Sequence, residues 1–122
     1  AAQSFVTPLG AVAVDRQAWL AARELPGVQV VPEVWVAESI TPSTALNSAY
    51  GFMWWLNRPP AAGVDKPWKD APDDTYAALG HWGQRIIVIP SEDLVIMRTG
   101  DDREGSIPVN DLVKFVLPVV KP

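Results

Sequence analysis

Apolar positions in this chain fall in short bursts, and those of its second half are apolar on both alternating sides rather than on one. The first half is more broken. Pro8 and Gly10 interrupt residues 1 to 14, within which Val12 and Val14 suit a short extended piece. Asp15 is a natural N-cap, so Arg16 to Leu25 reads as a helix carrying Trp19, Leu20 and Arg23, ended by Pro26-Gly27. Val28 to Val31 alternates briefly, as a short strand would. Pro32 opens a second helix from the favoured first position, with Glu33 at its positive end and Trp35, Val36 and Ile40 near one face. Thr41-Pro42-Ser43 closes it.

Ala49 to Leu56 reads as the first strong strand, with Tyr50, Phe52, Trp54 and Leu56 on one side and Met53 and Trp55 on the other. Residues 57 to 74 form a long loop rich in Pro, Lys and Asp. A loop of that length is more often functional or mobile than idle. Trp68, in its middle, either lines a pocket or pins the loop to the body. Thr75 to Leu79 is a short strand, and Gln84 to Ile89 with Leu94 to Thr99 makes a hairpin across Pro90-Ser91-Glu92-Asp93. Gly100 to Gly105 is a charged turn. Asn110 caps a last helix with Leu112, Val113, Val116 and Leu117 as its inner stripe, stopped by Pro118.

These elements predict an α+β fold, an antiparallel sheet of about three strands flanked by helices, over residues 1–122 as a single domain or a fragment of a larger one. Strands apolar on both faces need cover on both sides. Three short helices would have to supply it and shelter six tryptophans as well. Each large side chain left in water forfeits about 1.5–3 kcal/mol of burial. The expectation is an exposed apolar surface too large for a lone chain. Either a second chain covers it or this is the tail of a longer protein; a self-sufficient small α+β domain is the alternative.

Composition narrows the partners. Net charge is −4 and no two basic residues are adjacent, which argues against nucleic acid or an anionic membrane. No apolar stretch approaches the roughly 20 residues of a membrane-spanning helix; Phe115 to Val120 is short and contains Pro118. Without cysteine, disulfides, thiolate metal sites and a cysteine nucleophile are excluded. Ala1-Ala2-Gln3-Ser4 has neither the basic start nor the apolar core of a signal peptide. The compartment is left open, with a lean towards an extracytoplasmic one.

Candidate chemistry centres on Gly80-His81-Trp82-Gly83-Gln84, which holds the only histidine where a polar approach becomes the apolar run Ile86-Ile87-Val88-Ile89. Glycines beside an imidazole let backbone come close to a ligand, since no Cβ intervenes. A hairpin turn that needs glycine, with His81 exposed by chance, has the same spacing. None of Ser4, Ser39, Ser43, Ser48, Ser91 and Ser106 is followed three residues later by lysine or sits in a Gly-x-Ser-x-Gly elbow. One imidazole and scattered carboxylates give no zinc spacing, and Asp101, Asp102 and Glu104 lack that of a calcium loop, so a solvated acidic turn is the plainer reading. No glycine-rich phosphate loop precedes a helix, and no metal or cofactor is implied.

From Val30 onward the order of segments resembles a known family. Val30-Val31-Pro32-Glu33-Val34-Trp35-Val36, then Tyr50-Gly51-Phe52-Met53-Trp54-Trp55-Leu56, then Gly80-His81-Trp82-Gly83-Gln84 with Val88-Ile89-Pro90 and Asp93-Leu94-Val95-Ile96 is similar to the C-terminal third of the serine hydrolases related to β-lactamases and penicillin-binding proteins. The branch with class C β-lactamases, D-aminopeptidases and carboxylesterases is the nearest in pattern. In that family a Ser-x-x-Lys supplies nucleophile and base, a Tyr-x-Asn follows on a loop, and a third motif, Lys-Thr-Gly or His-x-Gly, lies on a strand beside the serine. His81-Trp82-Gly83 looks like the third motif; the first is absent, and nothing has the context of the second.

The resemblance implies a β-lactamase-like α/β/α sandwich to which the tail contributes three strands and a closing helix, and the front two strands and the nucleophile. It implies catalytic roles for His81, as a partner of substrate or tyrosine, and for Gln84, whose backbone N–H would be one oxyanion donor. Removing such a donor costs about 3–4 kcal/mol of transition-state stabilisation. It assigns Trp82 and Gly83 to substrate binding, and Trp68 joins them on the separate ground that the long loop could line a pocket. His81 in place of lysine and bulky Trp82 in place of a small residue point away from penicillins and towards a small ester or amide. The chain alone is expected to be inactive, with the remaining N-terminal part of the hydrolase, or a second chain bringing the Ser-x-x-Lys, as partner. A binding or accessory module that reuses this half-fold without chemistry is the rival.

Overall fold

Two five-residue strands rich in β-branched side chains, β7 (Arg85–Ile89) and β8 (Leu94–Arg98), form the spine of the sheet. They are joined through a 3-10 turn, Pro90–Glu92, and Asp93 in the left-handed region (φ 52°). This computed structural model describes residues 31–43 and 46–120, and the backbone of 4–6, 11–15, 24–25 and 28–29. The other strands are β1 (Ser4–Val6), β2 (Ala11–Asp15), β3 (Glu24–Leu25), β4 (Val28–Gln29), β5 (Trp55–Leu56) and β6 (Tyr76–Leu79). The helices among the described residues are α1 (Glu33–Ser39) and α2 (Val109–Val120). The class is α+β: one antiparallel sheet in the order β1-β2-β8-β7-β6-β5, with β3-β4 as a separate ribbon. The sheet is thus wider than the three strands expected from the pattern, because β2 pairs along the whole of β8 and β5 extends the other edge.

Register assigns the faces. Ala77, Ile87 and Ile96 are cross-strand neighbours, as are Ile89 and Leu94. These five, with Trp68 and Ala71 from the loop, pack against Val109, Leu112, Val113 and Val116 of α2 to form the core. At about 1.5–3 kcal/mol per buried side chain this cluster is the main stabilising feature. The inner stripe expected for the last helix is therefore correct, and Leu117 joins it half-buried. Its ends differ from expectation. Asn110 lies within the first turn, and Pro118 stands inside the helix, which runs on to Val120. A proline so close to the end deprives the helix of one hydrogen bond with little left to unravel.

The opposite face carries Tyr76, Ala78, Ile86, Val88, Val95 and Met97. Val88 and Val95 are buried, Tyr76, Ala78 and Ile86 half-buried, and Met97 is 43% exposed. Trp54 packs edge-on against Tyr76 (centroids 5.1 Å apart). Among the described residues the two-sided apolar pattern is thus matched by cover that is close over the centre of the α2 face, where only Leu79 at its edge is 41% exposed, and partial on the other face. Elsewhere Val34, Trp35, Met53 and Val119 are exposed, Trp35 by 53% with its ring 5.9 Å from that of Phe52.

Three further expectations are corrected. Ala49 to Leu56 is a tight hairpin, not a strand: Met53 has φ 65°, Tyr50 bridges Trp55, Gly51 N–H donates to Trp54 O (2.8 Å) and Leu56 N–H to Ala49 O (2.8 Å). The chain turns there because Phe52 N–H reaches the last helical carbonyl, Ser39 O (2.8 Å), with Gly51 so close to that carbonyl that a Cβ would collide. Pro32 precedes α1 with extended ψ (138°) instead of opening it. The helix expected over Arg16 to Leu25 lies outside the described residues up to 23, and Glu24 and Leu25 are strand, paired with Gln29 and Val28.

Candidate functional site

β6 ends at Leu79, and the chain reaches β7 through Gly80 and a single 3-10 turn, His81–Gly83. Inside it Trp82 is left-handed (φ 53°, ψ 38°), and Gly83 follows with φ 86°. Left-handed backbone costs a residue with a Cβ about 1–2 kcal/mol, so the turn persists only because its surroundings hold it. Every carbonyl from Gly80 to Gln84 has a donor. Arg85 Nη1 donates to Gly80 O (3.2 Å) and Gln84 O (2.8 Å). Gln84 N–H donates to His81 O (3.4 Å), Asp102 N–H to Trp82 O (3.0 Å) and Gly80 N–H to Gln84 O (2.8 Å). Arg98 Nη1 donates to Gly83 O (2.9 Å). The Gln84 side chain is tied through Nε2 to Gly100 O.

Arg98 is the centre of this bracing. It is only 8% exposed and grips Asp102 with both nitrogens of its fork, Nη1 to Oδ2 at 2.7 Å and Nη2 to Oδ1 at 2.9 Å. The guanidinium beside it, opposed by some desolvation, holds the Asp102 carboxyl below the usual carboxylate range, helped by an N–H from Ile107. Arg85 is the cross-strand neighbour of Arg98. Burial, and then the positive charge of Arg98, lowers its guanidinium from the ordinary arginine value, while Asp102 opposes the shift. Arg85 Nη2 also donates to Ser106 Oγ (2.6 Å), so both arginines bind the turn to the 100–107 segment.

On the outside, His81 and Trp82 are exposed, Trp82 by 45%. The His81 ring lies 4.5 Å from that of Trp82 at a tilt of 39°, and Arg103 Cζ sits 4.5 Å from the Trp82 centroid as a cation–π contact. Arg103 Nε is paired in turn with Asp101 Oδ1 (3.0 Å). The acidic turn of residues 101–104 thus serves as a brace, with both of its aspartates engaged by arginine.

The structure brings together His81, Trp82, Gly83 and Gln84. Trp68, assigned with them to substrate binding, is 7% exposed and packed in the core beneath α2. Its backbone is clasped by buried Asn57, which takes Trp68 N–H on Oδ1 (2.9 Å) and gives Nδ2 to Trp68 O (2.9 Å), Ala71 O (3.1 Å) and Pro72 O (2.9 Å). That is the pinning alternative. Sequence reasoning passed over Asn57 and the Arg98–Asp102 pair. An arginine in an otherwise apolar strand with an acid four residues on was the available signal for the pair; nothing local singled out Asn57.

No described serine is bonded to His81. Ser39 Oγ donates to Trp35 O (2.7 Å), Ser43 to Tyr50 O (3.2 Å), Ser48 to Pro59 O and Ser91 to Asp74 Oδ1 (2.9 Å), while Ser106 accepts from Arg85. No His, Asp and Glu cluster among the described residues is arranged to hold a metal ion, and no helix among them is long and apolar enough to cross a membrane. An open depression of about 610 Å³ lies at the long loop, lined by Arg58, Val64, Lys66, Asp65, Asp73 and Asp74 among others. Its acids are engaged, Asp73 by Lys66 (2.6 Å), Asp65 by Lys69 (2.7 Å) and Asp74 by Ser91 N–H (2.6 Å), and none of its lining residues belongs to the His81 turn. Comparison with family models and with curated proteins gives no match for the chain.

Proposed function

We propose that this chain is the C-terminal portion of a β-lactamase-like serine hydrolase of esterase or amidase type, carrying the third motif and the strand beside it but not the nucleophile. The observation that carries the reading is the His81–Trp82–Gly83 turn: a left-handed turn at the mouth of β7, every carbonyl of which accepts a hydrogen bond, that displays an imidazole and an indole to solvent. The succession β6, β7, β8 and α2 supports it, being three strands and a closing helix. So do the partly uncovered sheet face and the exposed aromatic residues, which suit a partner layer. In this reading His81 and the Gln84 N–H face the acyl group, Trp82 and Gly83 line the substrate side, and the missing polypeptide brings the Ser-x-x-Lys.

One observation favours the rival, a binding module without chemistry. The Gln84 N–H, the donor the oxyanion would need, is turned back to the His81 carbonyl at 3.4 Å. That bond is long for N–H···O, so exchanging it for an oxyanion costs little, and the hydrolase reading stands first. The test is nitrophenyl ester hydrolysis, with fluorophosphonate labelling, by the 122-residue chain alone and after addition of the polypeptide encoded directly upstream. Expected are no turnover alone, a Ser-x-x-Lys upstream, and labelling of that serine in the mixture. Turnover by the chain alone, or an upstream sequence lacking the motif, overturns the proposal.

A further inference from the structure

We infer that Arg98, buried, and Asp102, half-buried, are positioning residues: a latch that sets the left-handed geometry of the His81–Trp82–Gly83 turn and so fixes where His81, Trp82 and the Gln84 N–H point. The latch acts at two successive carbonyls. Arg98 Nη1 holds Gly83 O (2.9 Å) and the Asp102 N–H holds Trp82 O (3.0 Å), while the two side chains hold one another through a two-point pair. Each half therefore fixes one peptide of the turn, and the ion pair fixes the halves to each other.

The latch is also fitted to the turn. A Cβ on Gly83 would meet Asp102 Oδ2 and, at 2.6 Å, Arg98 Nη1; a Cβ on Gly100 would meet Arg98 Nη1 at 2.6 Å. Glycines at both positions leave the guanidinium room to lie flat between the turn and the 100–102 backbone. The Arg98 Nε has no hydrogen-bond partner and is buried, so the side chain is oriented by its fork alone. Neither side chain has a ring or hydrogen-bond contact with the side chains of His81 or Trp82 among the described interactions. They act through the backbone, which is why a lysine cannot replace the arginine: a point charge offers one strong direction where the fork offers two.

The functional meaning of the latch rests on the hydrolase reading, but its existence does not, and the test separates the two. The unliganded 122-residue chain is compared with Arg98→Lys, Arg98→Met and Asp102→Asn by NMR, following the His81 ring protons, the Trp82 indole N–H and amide exchange at Gln84. The Trp68 indole and the Ile87 and Ile96 methyls report on the core. Expected are shifted His81 and Trp82 resonances and about tenfold or faster Gln84 exchange in Arg98→Lys and Arg98→Met, a smaller change in Asp102→Asn, which keeps one acceptor, and an unmoved core. A purely structural role would lower the unfolding midpoint and leave the His81, Trp82 and Gln84 signals of the folded protein in place; that result in Asp102→Asn or either Arg98 variant overturns the inference. Should Arg98→Met fail to fold, the other two still decide it. The ester assay bears on the hydrolase reading alone.

Discussion

Replacing Gly83 by alanine separates two costs that the His81 turn combines. The first is backbone: φ is 86°, where a Cβ is disfavoured by about 1–2 kcal/mol. The second is the Arg98 latch, because the new Cβ lands on Arg98 Nη1 and Asp102 Oδ2 and the guanidinium must withdraw from Gly83 O. Losing that hydrogen bond from a charged donor costs about 1.5–3 kcal/mol, so Gly83→Ala should destabilise by about 2.5–5 kcal/mol in total. Gly63 supplies the control within the same chain. Its φ is 78° and nothing lies within 4 Å of where its Cβ would go, so Gly63→Ala should show the backbone cost alone. With a urea m-value of about 1.5 kcal/mol/M, the two variants should differ in midpoint by about 1–2 M. Urea unfolding followed by tryptophan fluorescence and far-UV circular dichroism measures both. Equal losses would refute the claim that the arginine is fitted to the turn.

Leu112→Ala, at a fully buried position of α2, should lose about 2–5 kcal/mol in urea unfolding, while Phe115→Ala on the exposed side of the same helix should lose much less. The Asp102 carboxyl is held below its unfolded-state value, so its contribution is present above the ordinary carboxylate range and is lost as pH falls through its own lower value; the drop in urea midpoint from pH 7 to pH 3 should be smaller in Asp102→Asn than in the parent. Asn57→Asp should destabilise by about 2–5 kcal/mol at pH 7, since a carboxylate would face the Trp68, Ala71 and Pro72 carbonyls without a proton to give. Its folded-state pKa would be raised, so part of that loss should return on acidification, the opposite sign to Asp102, as parallel midpoints at pH 7 and pH 4 would reveal.

What the residues disclosed and what they hid follow a common cause. The hairpin of β7 and β8, the inner stripe of α2 and the site of the turn at residues 80–84 rest on local periodicity and on glycine beside histidine, and all could be read directly. Ala49 to Leu56 could not: its alternation favours a strand, and the turn is imposed by the distant Ser39 carbonyl, which takes the Phe52 N–H. Asn57 was equally silent, because its partners lie 11 to 15 residues on and are backbone atoms, whose side chains say nothing of them. The acidic run at 101–104 was legible as charge but not as a brace. The arginine that turns Asp102 inward sits on the preceding strand, and only the register of β7 and β8 brings Arg85 beside it.

The exposed aromatic residues are of two physical kinds, and the difference bears on function. Trp35 and Phe52 rest on one another at 5.9 Å, with both rings partly in water; their exposure is the ordinary signature of area that a further layer would cover. Trp82 is exposed at the cost of a left-handed backbone, with Arg103 over its face, His81 beside it and its carbonyl held by Asp102. Folding supplies that strain before any partner or substrate arrives. A group fixed beforehand loses little conformational freedom when it binds, and donors aimed in advance need no reorganisation during reaction. An indole shed at random from a half-covered sheet would have no reason to carry such bracing, so it is the bracing of Trp82, and not its exposure, on which the proposed site rests.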